Sequence, residues 1–120
     1  MTTSFTPYVD VNSLDEFSMI AGTNFIITFN VYEEDCVTPL DLTGATIKWV
    51  LSPYGETSYR IITKTGVISG VGEFYISLVA ADTISLSGKY IHQPIITDFA
   101  GKIFRPAQGT ILIMPQIPVA

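Results

Sequence analysis

Few side chains in this 120-residue sequence could act on a substrate, and they do not converge. His92 is the sole histidine and Cys36 the sole cysteine. A Ser/His/Asp relay needs its imidazole in a cleft beside a nucleophile and an orienting acid. His92 instead stands in Tyr90-Ile91-His92-Gln93 at the parity of Tyr90, which puts it on the core face of a strand or at the edge of that face. One histidine and one distant cysteine fall short of the three or four ligands of a zinc site, and a lone cysteine excludes an internal disulfide. The densest acidic run, Glu33-Glu34-Asp35 with Asp41 after it, lacks the ligand spacing of a calcium loop and reads as a solvated connection. Asp10, Asp15 and Glu16 form no motif, and Asp15 or Ser13 suits the cap of a local turn. Gly66, Gly70 and Gly72 are spaced like a phosphate loop, but no helix beginning Lys-Ser/Thr follows, so no helix N-terminus would present its amides. No catalytic, metal-binding or cofactor-binding residue is assigned, no cofactor is expected, and the chain reads as non-enzymatic. Tyr32, Tyr59 and Tyr75 fall on outward parities and could stack on sugar rings, the alternative reading as a carbohydrate-binding adhesion module. Tyrosine is also ordinary composition for the outer face of a strand.

The elements carrying these residues are strands. Apolar residues recur at period two between clusters of Gly, Pro, Asp and Asn, the pattern of an all-β sandwich. From Asn24 to Glu33, Phe25, Ile27, Phe29 and Val31 alternate with polar or mixed positions, and from Thr46 to Ser52 so do Ile47, Trp49 and Leu51. Weaker strands are expected over 58–64 and 67–69, and a clean one over Glu73 to Leu78. The segment 80–86 reads as one short helical turn crossing between sheets, stopped by Ser87-Gly88. Lys89 to Thr97 forms a strand that Pro94 marks as an edge or bulge. Asp98 to Gly101 makes a hairpin, and Thr110 to Met114 a last strand that is apolar on both faces. The expected architecture is a two-sheet antiparallel sandwich of about seven to eight strands over residues 21–114, with an irregular N-terminal arm at 1–20 and an extended tail at 115–120 that Pro115 and Pro118 keep from pairing.

Composition narrows the partners. Charged residues make up 14% of the chain, against about 25% in ordinary soluble domains. Six basic and eleven acidic side chains leave apolar or neutral surface exposed, which favours burial against partners. The net charge of -5 and the scatter of Lys48, Arg60, Lys64, Lys89, Lys102 and Arg105 exclude a phosphate-binding patch, so no nucleic acid is expected. No apolar run reaches the length of a membrane span, and the first ten residues lack a basic stretch followed by an apolar one, so neither membrane insertion nor a secretory signal is expected.

Asp41-Leu42-Thr43-Gly44-Ala45-Thr46-Ile47-Lys48-Trp49-Val50-Leu51 resembles the "dLtGatv-x-w-x-l" strand of immunoglobulin-like modules in tailed-bacteriophage structural proteins, notably the N-terminal domain of the baseplate upper protein family. Asp82 to Tyr90 resembles the "DTxxLxxGxY" crossover of those modules, one residue shorter between Leu86 and Gly88, and Ile96 to Gly101 resembles their "v-x-D-x-x-G" hairpin. The resemblance covers about Ala21 to Met114 and lies in turn and core residues; a counterpart of the baseplate protein's downstream stalk or receptor-binding region is not expected. It implies an immunoglobulin-like sandwich, with Tyr90 offering its hydroxyl to the corner backbone and Asp98 setting the hairpin. It also implies a virion component, made in a bacterial cytoplasm, that contacts other virion structural proteins as head decoration, neck or tail part, or baseplate and fibre adaptor. A homo-oligomer is expected. Apolar residues outside the core pattern are the expected contacts: Phe5, Tyr8 and Val9 in the arm, and Leu112, Met114, Ile117 and Val119 at the other end.

Overall fold

The computed structural model describes residues 8–11, 16–32, 38–56, 60–106 and 108–117, with the backbone alone over 8–11. Among them the strands are β1 (Tyr8–Val11), β2 (Phe17–Ile20), β3 (Phe25–Asn30), β4 (Thr46–Pro53), β5 (Ile62–Thr65), β6 (Val67–Gly70) and β7 (Glu73–Leu78). A single helical turn, α1 (Ala80–Thr83), precedes β8 (Gly88–Thr97), β9 (Ile103–Phe104) and β10 (Gly109–Met114). Two sheets face each other, one ordered β1-β3-β7-β6 and the other β2-β10-β8-β4-β5, with β9 alongside β8. The fold is all-β with one short helical turn, consistent with an immunoglobulin-like sandwich.

The strong alternations become the layers of the core. Phe25, Ile27 and Phe29 of β3 and Phe74, Ile76 and Leu78 of β7 are buried, and the Phe29 and Phe74 rings stack at 4.9 Å. From the other sheet come Ile47, Trp49 and Leu51 of β4, Ile96 of β8, and Ile111 and Ile113 of β10. Burying every second residue of a strand fixes register, because a slip of one would turn the apolar set to solvent.

The chain changes sheet between β5 and β6 across Gly66 alone. A Cβ there would lie 2.5 Å from Ile47 Cγ2 and 2.8 Å from Ile47 Cβ, so the corner closes on Ile47 because the residue has no side chain. The crossing from β7 to β8 runs through α1. Asp82 accepts the Val79 N–H at 2.8 Å, Asn24 accepts the Ala80 N–H at 2.8 Å, and the buried Thr83 hydroxyl accepts the Gly22 N–H at 3.0 Å. The helix is shorter than the expected 80–86 because a plain turn takes over at Ile84.

Three expectations need correction. The stretch before residue 21 contains two strands: β1 pairs with β3 and β2 with β10, both parallel. The sheets are therefore mixed, not antiparallel throughout, and the strands number ten among the described residues. Short strands of this kind are held by partners remote in sequence, with Met19 of β2 buried in the core. Pro94, expected at an edge or bulge, lies in the regular register of a central strand opposite Trp49. The carbonyls of Ile47 and Leu51 accept from Gly66 and Ile61 on the β5 side, so Trp49, which shares their parity, turns its backbone away from β8. Pro94, its partner in a non-hydrogen-bonded pair, points its ring nitrogen away from β4, where β10 has ended at Gly109 opposite His92 and β9 starts only opposite Ile96. The missing N–H falls in that gap and breaks no ladder.

Candidate functional site

His92 lies where its parity predicts. It is fully buried, with the rings of Phe17, Phe29 and Trp49 at centroid distances of 5.6, 6.1 and 5.9 Å. Trp49 donates its indole N–H to His92 Nδ1 at 3.1 Å, which places the imidazole proton on Nε2, an atom with no hydrogen-bond partner. Loss of hydration pushes the imidazole down to about 4, so it is neutral at pH 7 and sealed among aromatic rings. A base in that position reaches no substrate. Asp41 is fully exposed; the Thr43 hydroxyl, at 2.6 Å, and the Thr43 N–H, at 3.0 Å, both donate to its Oδ1 and hold its carboxyl below the usual carboxylate range. These bonds close the turn that leads into β4, a structural task. Among the described residues no three His, Cys, Asp or Glu gather as metal ligands, and no helix is long and apolar enough to cross a membrane.

What stands out is one surface. β10 buries Ile111 and Ile113 and turns Leu112 and Met114 outward, and its parallel register with β2 sets Met114 beside Ile20 and Leu112 beside Ser18. Leu112 is 37% exposed, Met114 42%, Ile20 51% and Ile117, just beyond the strand, 89%. Opposite Leu112 on the β8 side stands Lys89, whose ammonium meets Glu16 at 3.6 Å and lies 4.7 Å from the centre of the exposed Tyr54 ring. The result is an apolar band bounded on one side by a cation already engaged by an acid and an aromatic ring. Single exposed apolar residues are unremarkable, but a contiguous patch with a polar rim is the usual form of a docking surface. An open cleft of about 400 Å³ lies elsewhere, between the turn at Asp41, Leu42 and Gly44 and the edge strand residues Ile68 and Gly70, with Val71 beside it.

No protein-family model matches the chain, and no curated protein does. Among solved structures, it is similar to the crystal structure of CopC from Methylosinus trichosporium OB3b, with 10% identity, a TM-score of 0.46, and coverage of 98% of this chain and 91% of that one.

The anticipated contact residues are only partly brought together. Leu112, Met114 and Ile117 share the neighbourhood of the apolar band. Tyr8 and Val9 belong to β1, on the other sheet, while Phe5 and Val119 lie outside the described residues. The tyrosines considered for sugar stacking form no row: Tyr32 is exposed beside Pro39 in an isolated bridge, Tyr75 is half-buried opposite Thr28 on β7, and Tyr59 lies outside the described residues. Sequence reasoning missed Ile20. Its outward parity was readable from Phe17-Ser18-Met19-Ile20, but its place in the band required knowing that β2 runs beside β10.

Proposed function

We propose that the domain is a non-enzymatic structural module of a tailed-phage particle that docks on neighbouring subunits through the outer face of β2 and β10. The observation that carries the docking is the apolar band of Ile20, Leu112 and Met114, which the sandwich does not cover and its own core does not need. Covering it gains about 25 cal/mol for each Å² of apolar surface removed from water, less the cost of ordering the contact. The low charge content of 14% supports the same reading. The phage setting is supported by the resemblance of Asp41 to Leu51 and Ile96 to Gly101 to the baseplate modules; these residues build the turn at Asp41, the strand β4 and the hairpin at Asp98.

Particles assembled in cells that express either the wild-type chain or L112E/M114E test both parts. After purification on a density gradient, the wild type is expected to travel with the particle and the double variant to fall by about tenfold or more, the equivalent of about 1.4 kcal/mol of contact. Deleting residues 115–120 is expected to weaken incorporation while leaving the sandwich folded. Full occupancy of the double variant removes the proposed face. A wild-type chain that travels with no particle removes the phage setting.

A further inference from the structure

We infer that a second copy of this chain pairs along β2, continuing the six-stranded sheet across a twofold axis. This goes beyond docking of the outer face, because it concerns the strand edge and rests on a comparison of the sheet edges. An uncovered edge templates association, and natural edges discourage it by shortness, a charge, a proline or a bulge. β1 contains Asp10, β5 contains Lys64 held by Asp82 at 2.9 Å, and β6 ends at Gly70 with a register shift after Ile68. β2 reads Phe17-Ser18-Met19-Ile20; at four residues it is as short as β1, β5 and β6, but it has no charge, proline or bulge, its register with β10 is unbroken, and among the described residues no strand runs along its other side.

The backbone of β2 is set for such pairing. Ala21 donates its N–H to the Met114 carbonyl at 2.8 Å, so Phe17, Met19 and Ala21 address β10, while Ser18 and Ile20 turn their N–H and C=O groups to the open side. An antiparallel copy can match those groups with its own. Register must keep core-facing residues on the core side in both chains, which the arrangement with Met19 on the axis does: Ser18 then stands opposite Ile20 of the second copy, and Ile20 opposite Ser18. Charge favours a second copy over a charged partner. Glu16, the nearest ionisable side chain, is engaged by Lys89 of its own chain and falls outside the paired stretch. The contact is the same patch on both copies, so it closes as a dimer and joins two bands of Ile20, Leu112 and Met114 into one face.

Sedimentation equilibrium of the purified chain over about 1 to 200 µM is expected to show mass moving from monomer toward dimer, the range in which a contact of modest size dissociates. Ser18→Pro removes an N–H that does not address β10, and Ile20→Lys places a charge on the edge; both are expected to stay monomeric and, at low protein concentration where the wild type is also monomeric, to share its unfolding midpoint. Val67→Lys, on the β6 edge, is expected to dimerise like the wild type. A wild type that remains monomeric at the highest concentration overturns the inference, and so does a dimer that the β2 variants leave intact. Should the proline variant fail to fold, cross-linking decides. Ser18→Cys chains mixed with Ile20→Cys chains, both also Cys36→Ser, are expected to give a disulfide-linked heterodimer, since facing residues of a hydrogen-bonded antiparallel pair sit about 5.5 Å apart at Cα. No heterodimer under mild oxidation overturns the pairing.

Discussion

The indole N–H of Trp49 donates to Nδ1 of His92 over 3.1 Å, between two fully buried side chains on neighbouring strands β4 and β8. The bond satisfies the tryptophan and fixes the imidazole tautomer, yet it leaves Nε2 without a partner. One polar pair thus sits at the centre of an otherwise apolar layer, stable only while the imidazole is neutral.

That requirement makes stability depend on pH. Burial lowers the imidazole from 6.5 to about 4, so between those values the unfolded chain binds a proton that the folded chain does not. The contribution is complete above pH 6.5 and is lost as pH falls towards 4, in total about 3 kcal/mol at about 1.4 kcal/mol per unit. Urea unfolding at several pH values from 7 to 4 is expected to show this slope in the wild type. His92→Leu is expected to remove that part of the slope, and to cost about 1 to 3 kcal/mol at neutral pH because the Trp49 N–H loses its acceptor. Equal slopes in both proteins would mean that His92 is not the titrating group.

Gly66 provides a test of how tightly the crossing between sheets is closed. Its Cβ position is occupied by Ile47 at 2.5 Å, and Ile76 Cδ1 approaches to 3.2 Å. Gly66→Ala is expected to destabilise by about 1 to 3 kcal/mol through overpacking. Ile47→Ala removes the Cγ2 that stands closest, so Gly66→Ala is expected to cost less in that background than in the wild type, a non-additivity that a double-mutant cycle in urea would read.

Tyr90 ties the end of the helical crossing to β8. Its hydroxyl donates to the Ser87 carbonyl at 2.9 Å and accepts the Ser87 N–H at 3.1 Å, the corner arrangement its position implied. Tyr90→Phe keeps the ring in the core and is expected to cost about 1 to 2 kcal/mol, with the far-UV spectrum unchanged. A loss within error of zero would show that water replaces both bonds.

Where one side of a strand faced the core, its alternation was legible: β3, β4 and β7 fall where Phe25, Trp49 and Phe74 place them, and Leu112 and Met114 were readable as the outward members of β10. β1 and β2 were not, since four residues carry little periodicity and their parallel partners lie far along the chain. Pro94 misled because a missing N–H matters only if a neighbour stands ready to accept it, and the gap between β9 and β10 is a property of the assembled sheet. The apolar band was half legible for the same reason: Ile20 joins it through pairing, not through sequence.

The two sides of β10 should respond oppositely to substitution. Ile111 and Ile113 are buried, so Ile111→Ala or Ile113→Ala is expected to cost about 2 to 5 kcal/mol from lost contacts and the cavity left behind. Leu112 and Met114, one residue away, are exposed; Leu112→Gln and Met114→Gln, which set no like charge opposite Lys89, are expected to change stability by no more than about 0.5 kcal/mol. Urea unfolding at low protein concentration measures both sets on the monomer. If the outward pair proved as costly as the inward pair, the band would be a covered part of the core and unavailable to a neighbour. If it is neutral, the presence of leucine and methionine there has no explanation in folding, and the cost of exposing them is offset only where something docks.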